Sequence, residues 1–198
     1  AVNCRADGGQ ASGIGASDST SSNLVIGGTL SYTGTDISID RGFQAAGGAV
    51  SVIGGTTLQF EGQVTGSNIA KSGAGTLVLS GNNTYSGATY LQEGSLLAGS
   101  TTAFGASGIR MDGANTTLDL AGLNNTVAYL HELSSTAANR NILLGGATLT
   151  ITAGGTYSGV ISGNGNLVKS VGGVQTLAGC NNSYTGTTRI TGGTLAVS

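Results

Sequence analysis

The sequence contains no proline and no tryptophan, and it is poor in charge: only 8% of its 198 residues are Asp, Glu, Lys or Arg. The lack of proline, with no strict period of three among the glycines, excludes a collagen-like triple helix. Scarce charge with 38% hydrophobic residues excludes a disordered chain, which needs high net charge and few apolar side chains. The cations Arg5, Arg41, Lys71, Arg110, Arg140, Lys169 and Arg189 are scattered singly, so there is no basic stripe for nucleic acid. No apolar run is long enough to span a bilayer as a helix. The chain opens Ala1-Val2-Asn3-Cys4, with neither Met nor the apolar core of a signal peptide. It therefore reads as a mature or excised piece of an exported protein.

What is abundant is glycine, 37 residues, together with Ser, Thr, Asn and the β-branched residues. Glycine serves turns, and Val, Ile and Thr serve strands. Short apolar patches recur from Asn23 onward: Leu24-Val25-Ile26, Leu30-Ser31-Tyr32, Ile37-Ser38-Ile39, Val50-Ser51-Val52-Ile53 and Leu58-Gln59-Phe60. Gly27-Gly28, Gly34, Gly47-Gly48 and Gly54-Gly55 separate them. The same pattern runs through Thr117-Leu118-Asp119-Leu120, Ile142-Leu143-Leu144, Thr148 to Ile151, Val160-Ile161 and Leu167-Val168. A spacing of about 6 to 10 residues, with alternation inside the patches, is a many-stranded β pattern. Residues 126–139 stand apart: Val127, Leu130 and Leu133 are spaced by three. That spacing fits a helix; the other reading is a strand from Val127 to Leu133 followed by a loop from Ser134 to Arg140.

One long segment occurs twice. Leu77 to Leu97 (LVLSGNNTYSGATYLQEGSLL) returns as Leu177 to Val197 (LAGCNNSYTGTTRITGGTLAV), each preceded by a Lys-Ser lead, at Lys71 and Lys169. The offset is 98 residues from Lys71 to Lys169 and 99 from Tyr85 to Tyr184, because the second copy has one extra residue near its Asn pair. Such repetition means stacked units, each burying a face it cannot bury alone. An antiparallel sandwich would need hairpin turns and few long-range repeats. A parallel β-helix needs three short strands per coil, Gly or Asn at tight corners, and a repeat that is some multiple of about 20 residues. The pattern fits the second, each repeat spanning roughly one and a half coils. About 8 to 10 coils are expected, stacked about 4.8 Å apart into a rod about 40 to 50 Å long. Residues 23–198 form this all-β, single elongated domain, with repeats at 69–97 and 167–197. Residues 1–22 are an N-terminal extension or cap.

Gly73 to Thr89 (GAGTLVLSGNNTYSGAT) followed by Glu93-Gly94-Ser95-Leu96 resembles the passenger-associated transport repeat of bacterial autotransporters. Ala114 to Gly122, Asn124 to Val127 and Tyr157 to Gly165 are similar to the stretches between such repeats. The resemblance implies a right-handed parallel β-helix passenger that is secreted, displayed at the cell surface, and adhesive or self-associating. It implies no cofactor. Nothing in this chain resembles the membrane β-barrel in which a whole autotransporter ends.

Few residues offer chemistry. Cys4 and Cys180 lie at opposite ends of the sequence, and in a β-helix that distance is axial, roughly 35 to 40 Å at the rung spacing. A disulfide requires Cα atoms within about 7 Å. The pair is therefore either unrelated, or bonded between molecules stacked head to tail in an oxidising compartment. The last strand, Thr194, Leu195, Ala196, Val197 and Ser198, has no charged or proline gatekeeper, and an open strand edge is a template for end-to-end contact. His131 is the sole histidine, and no GxSxG elbow accompanies it, so a triad with Asp119, Ser134 or Ser135 is not supported. Asp36, Asp40 and Arg41 are the nearest approach to a lyase-like cluster, and equally a solvated corner. Asn82, Asn83, Asn181 and Asn182 read as corner residues able to stack into ladders. Tyr85 and Tyr184 sit just past those corners, by default packed along the coil. Three functions follow in order of support. The first is a non-enzymatic surface solenoid that self-associates end to end. The second is a lateral adhesin for host cells or glycans, favoured by ladders of Thr or aromatic residues on a flat side. The third is a polysaccharide lyase or hydrolase.

Overall fold

A computed structural model describes residues 7–10, 12–133 and 139–198. Among these, 23 strands of two to five residues follow one another, and every strand pairing is parallel. Paired strands lie about 20 residues apart in sequence, as in Leu30↔Val50, Lys71↔Leu91 and Leu177↔Val197. The chain is a β-solenoid with three sides, visited in turn.

The first side holds Val25–Ile26, Phe43–Ala45, Val64–Gly66, Asn125–Val127, Thr148–Ile151, Asn166–Lys169 and Thr188–Ile190. Two irregular stretches fill the gap between Val64–Gly66 and Asn125–Val127. Thr84 and Ser86 donate their N–H groups to Val64 and Gly66, and Ala128 donates to Ser107. The second side runs from Thr29–Tyr32 through Ala49–Val52, Ile69–Ser72, Thr89–Leu91, Ile109–Met111, Leu130–His131, Thr156–Tyr157 and Val174–Leu177 to Thr194–Val197. The third holds Ile37–Ile39, Thr57–Phe60, Thr76–Leu79, Gly94–Ala98, Thr116–Asp119, Arg140–Leu143 and Val160–Ser162. It ends on residues 183–185, where Ser183 and Thr185 donate to Ile161 and Gly163. Nine, nine and eight rungs make between eight and nine coils, about 40 Å along the axis, as the repeat length predicts.

Alternation sends every second side chain inward. On the third side the register aligns Ile37, Leu58, Leu77, Leu96, Leu118, Ile142 and Ile161 in one stack, fully buried except at its first member. Where the backbone turns between sides, neighbouring coils touch directly: a Cβ on Gly62 would stand 2.1 Å from the Gly42 nitrogen. Only glycine fits there, which accounts for much of the glycine content.

The helix considered for residues 126–139 is not present among the described residues. Asn125–Val127 and Leu130–His131 are strands on two adjacent sides, with the corner at Ala128-Tyr129. The single long strand considered for Val127 to Leu133 is likewise replaced by these two. The spacing of three arises because Val127 ends one side while Leu130 begins the next, both facing inward. Residues 134–138 lie outside the described residues. Among the described residues the only helical element is a 3-10 turn, Ser21–Asn23, and no described helix is long and apolar enough to cross a membrane.

The repeat and the coil are out of phase. From Thr76–Leu79 in the first copy to Val174–Leu177 in the second the chain passes fourteen sides, which is four and two-thirds coils. The second copy is therefore rotated by one side. Its Asn-Tyr stretch lies on the third side, whereas that of the first copy lies on the first.

Candidate functional site

Both repeat copies build the same internal constellation. Lys71 stands at an inward position between Val50 and Leu91 in the lateral register, and Lys169 between Ile151 and Ile190. Both lysines are fully buried. Lys71 Nζ donates to the carbonyls of Ser72, Gly73 and Glu93 at 2.9, 2.6 and 3.1 Å. Lys169 Nζ donates to Ser170 and Gly172 at 2.8 and 2.7 Å. Each ammonium thus closes the turn that follows its strand. Burial pushes the Lys71 amine down to about 8. In the sequence these lysines are two of seven singly scattered cations. The signal that could have found them is the alternation Ile69-x-Lys71, which puts the lysine on the inward face.

The asparagines bridge coils. Asn83 Oδ1 accepts from Val64 N–H at 2.7 Å, and its Nδ2 donates to Ala103 C=O at 2.8 Å, so one side chain ties three successive coils. Asn182 Oδ1 likewise accepts from Ile161 N–H at 2.8 Å, but its Nδ2 turns back to Gly179 C=O at 3.1 Å. Asn82 Oδ1 accepts from the Thr102 hydroxyl, while Asn181 is exposed. Tyr85 is fully buried with its hydroxyl 2.8 Å from Thr89 Oγ1; burial pushes that phenol up to about 12. Tyr184 repeats the contact with Thr188 at 2.6 Å, half-buried. Gly94 and Gly193 occupy equivalent places where the last strand of each copy begins, both with a left-handed backbone, φ +70° and +66°.

The difference between copies is cover. Residues 99–108 lie over the first copy. The last described coil carries the second, and no described strand pairs onto Thr188–Ile190 or Thr194–Val197 from above. Ile190 is 54% and Val197 77% exposed. Cys180 is exposed and free; Cys4 lies outside the described residues.

At the other end, Arg41 is buried and donates to Ser17 Oγ, Ser17 C=O and Gly15 C=O at 3.0, 2.7 and 3.0 Å. Asp40 Oδ1 accepts from Gly8 N–H at 2.6 Å, and Asp36 Oδ1 accepts from Thr57 N–H at 2.8 Å. The Asp36, Asp40 and Arg41 grouping is thus occupied in binding backbone. Glu132 and Arg140 form a buried ion pair at 2.8 Å, and Glu132 also accepts from Ser158 N–H. Among the described residues no group of three or more His, Cys, Asp or Glu could hold a metal ion.

Two lateral features face solvent. On the third side Thr57, Thr76, Ser95, Thr117 and Asn141 align as an outward polar ladder. On the second side Tyr90, Arg110 and His131 are direct neighbours on consecutive rungs. The Arg110 guanidinium lies 5.1 Å from the Tyr90 ring centre and its Nε 3.5 Å from Asp112 Oδ2. Tyr129 meets His131 edge to face, ring centres 6.4 Å apart. In the sequence His131 is the sole histidine, with no motif around it. Its neighbours are remote in sequence, and only the 20-residue register reveals them.

Stacked parallel coils, with the same Lys, Asn, Tyr and Thr set recurring in two copies, define a β-solenoid built on an internal repeat. Residues 69–98 and 167–197 match the family described as the passenger-associated transport repeat. Over 98% of its length the chain is 47% identical to part of the Adhesin BmaC autotransporter of Brucella suis biovar 1 (strain 1330). It spans 6% of that relative's length. No solved structure matches it. The two comparisons bear out the resemblance to autotransporter passengers, and with it an exported, cell-surface setting.

Proposed function

We propose that this chain is an adhesive segment of a cell-surface passenger, a rigid rod that holds host surfaces by its sides without catalysing a reaction. The observation that carries the reading is the 47% identity to a stretch of a protein named an adhesin. The outward polar ladder on the third side and the aromatic cluster on the second support lateral contact. Host-cell and glycan surfaces are the partners in this reading. The test is binding of the purified chain to a host-cell layer, with bovine serum albumin as control. Saturable binding above the control is expected; binding no greater than albumin overturns the reading.

Self-association is a second reading, favoured by one observation. Asn182, Tyr184 and Thr188 present upward the surface that Asn83, Tyr85 and Thr89 bury beneath residues 99–108. A second molecule stacked on Thr194, Leu195, Ala196, Val197 and Ser198 would cover it by parallel strand pairing, and would extend head to tail. Residues 1–22 act as the N-terminal cap in this reading, supported by the bonds of Arg41 and Asp40 to Gly15, Ser17 and Gly8. The contact then forms with that cap in place, with Cys4 and Cys180 as candidates for an interchain bond.

A further inference from the structure

We propose that Tyr90, Arg110, Asp112, Tyr129 and His131 form a binding platform for an uncharged sugar ring of a surface glycan. The inference rests on the lateral adhesive reading and gives it a location and a ligand class. The chain has six tyrosines. Tyr85 and Tyr157 are buried, and Tyr32 and Tyr184 pack against the core. The remaining two, Tyr90 and Tyr129, point outward, and both fall in this cluster beside the sole histidine.

The backbone arranges the cluster. Tyr90, Arg110 and His131 share one lateral row. Tyr129 precedes His131 by two residues, and its ring lies on Gly108, where a Cβ would stand 2.2 Å from the ring. Three rungs by one two-residue step cover about 10 Å by 7 Å, an area suited to one or two pyranose rings. Parallel hydrogen-bonded strands fix the positions before binding, so little ordering entropy is lost on contact.

The chemistry matches a sugar. The tyrosine ring faces that Arg110 and Gly108 leave uncovered offer an apolar surface to the C–H face of a pyranose. The Arg110 guanidinium donates to hydroxyls and the Asp112 carboxylate accepts from them. Arg110 Nε faces Asp112 Oδ2 at 3.5 Å, which holds the guanidinium in place, while His131 Nδ1 has no hydrogen-bond partner among the described residues. Arg110 and Asp112 offset one another in charge. A sulfated glycan needs several cations together, and this side has one arginine beside one carboxylate, so the fit is to a neutral sugar.

Saturation-transfer NMR tests this with lactose, cellobiose, maltotriose and chitotriose, and with a heparin tetrasaccharide as the anionic probe. Transfer to ring C–H protons of at least one neutral saccharide is expected. It should fall at least tenfold in Tyr129→Ala and in Asp112→Asn. The second variant keeps an acceptor for the Leu133 N–H that Asp112 caps at 3.1 Å, and so keeps the fold. Transfer to none of the four, transfer to heparin alone, or transfer unchanged in both variants overturns the platform. The same variants on host-cell layers separate the two readings. Cell binding by wild type with no saccharide transfer overturns the sugar site and leaves the adhesive rod. Saccharide transfer without cell binding supports the platform and overturns the adhesive reading.

Discussion

Buried charge is the residue-scale peculiarity of this solenoid. Lys71 sits where its lateral neighbours are Val50 and Leu91, and its three hydrogen-bonded carbonyls match the three N–H bonds of an ammonium. Burial nevertheless lowers its pKa from 10.5 to about 8. The folded state therefore releases this proton before the unfolded state does. Between about pH 8 and 10.5 the unfolded chain binds more protons, and the Lys71 contribution to stability rises with pH. Below pH 8 the penalty for burying the charge is present in full. Comparing urea stability of wild type and Lys71→Met across pH 7 to 10 should show the difference moving in favour of wild type as pH rises. A flat difference would contradict the shift. Tyr85, pushed up to about 12, acts in the opposite sense above its ordinary value of 10, where folding loses stability as the phenol ionises.

The Glu132–Arg140 pair gives a second residue-scale prediction. Glu132→Gln keeps an acceptor for Ser158 N–H but leaves Arg140, 2% exposed, without its counter-charge. Breaking such a pair from one side costs about 3 to 5 kcal/mol. Urea titration of the variant checks this, and a loss under about 1 kcal/mol would show that water reaches the guanidinium.

At the scale of the element, asparagine does the work of a strand. Residues 83–86 form no strand, yet they occupy a whole side of the coil because Asn83 supplies a side-chain acceptor and donor between coils. Asn83→Ala leaves Val64 N–H and Ala103 C=O unpaired in a buried place, about 1 to 3 kcal/mol for each group. Amide exchange at Val64 should accelerate first. Asn182→Ala, at a half-exposed position with one coil to bridge, should cost less. Equal losses would mean that the two copies are equally covered in solution. A stack member such as Leu96, fully buried between Leu77 and Leu118, should lose about 2 to 5 kcal/mol on change to Ala. Contacts in a solenoid are between nearest coils, so this loss should open the neighbouring coils before the ends.

On the scale of the whole molecule, the two ends differ. Arg41 and Asp40 bind residues 8, 15 and 17 across the first coil, and Gly13 and Ile14 meet Leu30, Tyr32 and Ile37 around a cavity of about 280 Å³. The last described coil leaves Ile190 and Val197 exposed among the described residues. If this end pairs with another copy, negative-stain electron microscopy should show fibres much longer than the 40 Å rod. Shortening by reductant would implicate Cys180, and Cys180→Ser should then shorten them equally. Isolated short rods with and without reductant would end the self-association reading.

Much of this architecture was legible in the sequence. Alternating patches such as Val50-x-Val52 and Leu58-x-Phe60, with glycine between them, establish short strands. A segment that returns after some 98 residues establishes stacking of like upon like. Both are local properties, since alternation and turn chemistry depend on neighbours in the chain. The sequence also led to the passenger-associated transport repeat, because the Asn-Asn-x-Tyr-x-Gly and Gly-x-Leu spacings lie within one segment. It could not place side chains that meet only through the coil. Tyr90, Arg110 and His131 are separated by 20 and 21 residues, and they became a row once the register was set. Lys71, Lys169 and Arg140 are scattered single charges in the sequence, and inward alternation with coil packing buries them. The spacing of Val127, Leu130 and Leu133 imitated a helix until the corner at Ala128-Tyr129 divided it between two sides. Composition and periodicity determined that this chain would coil. The number of residues in each turn, which only the packed structure fixes, decided which side chains became neighbours.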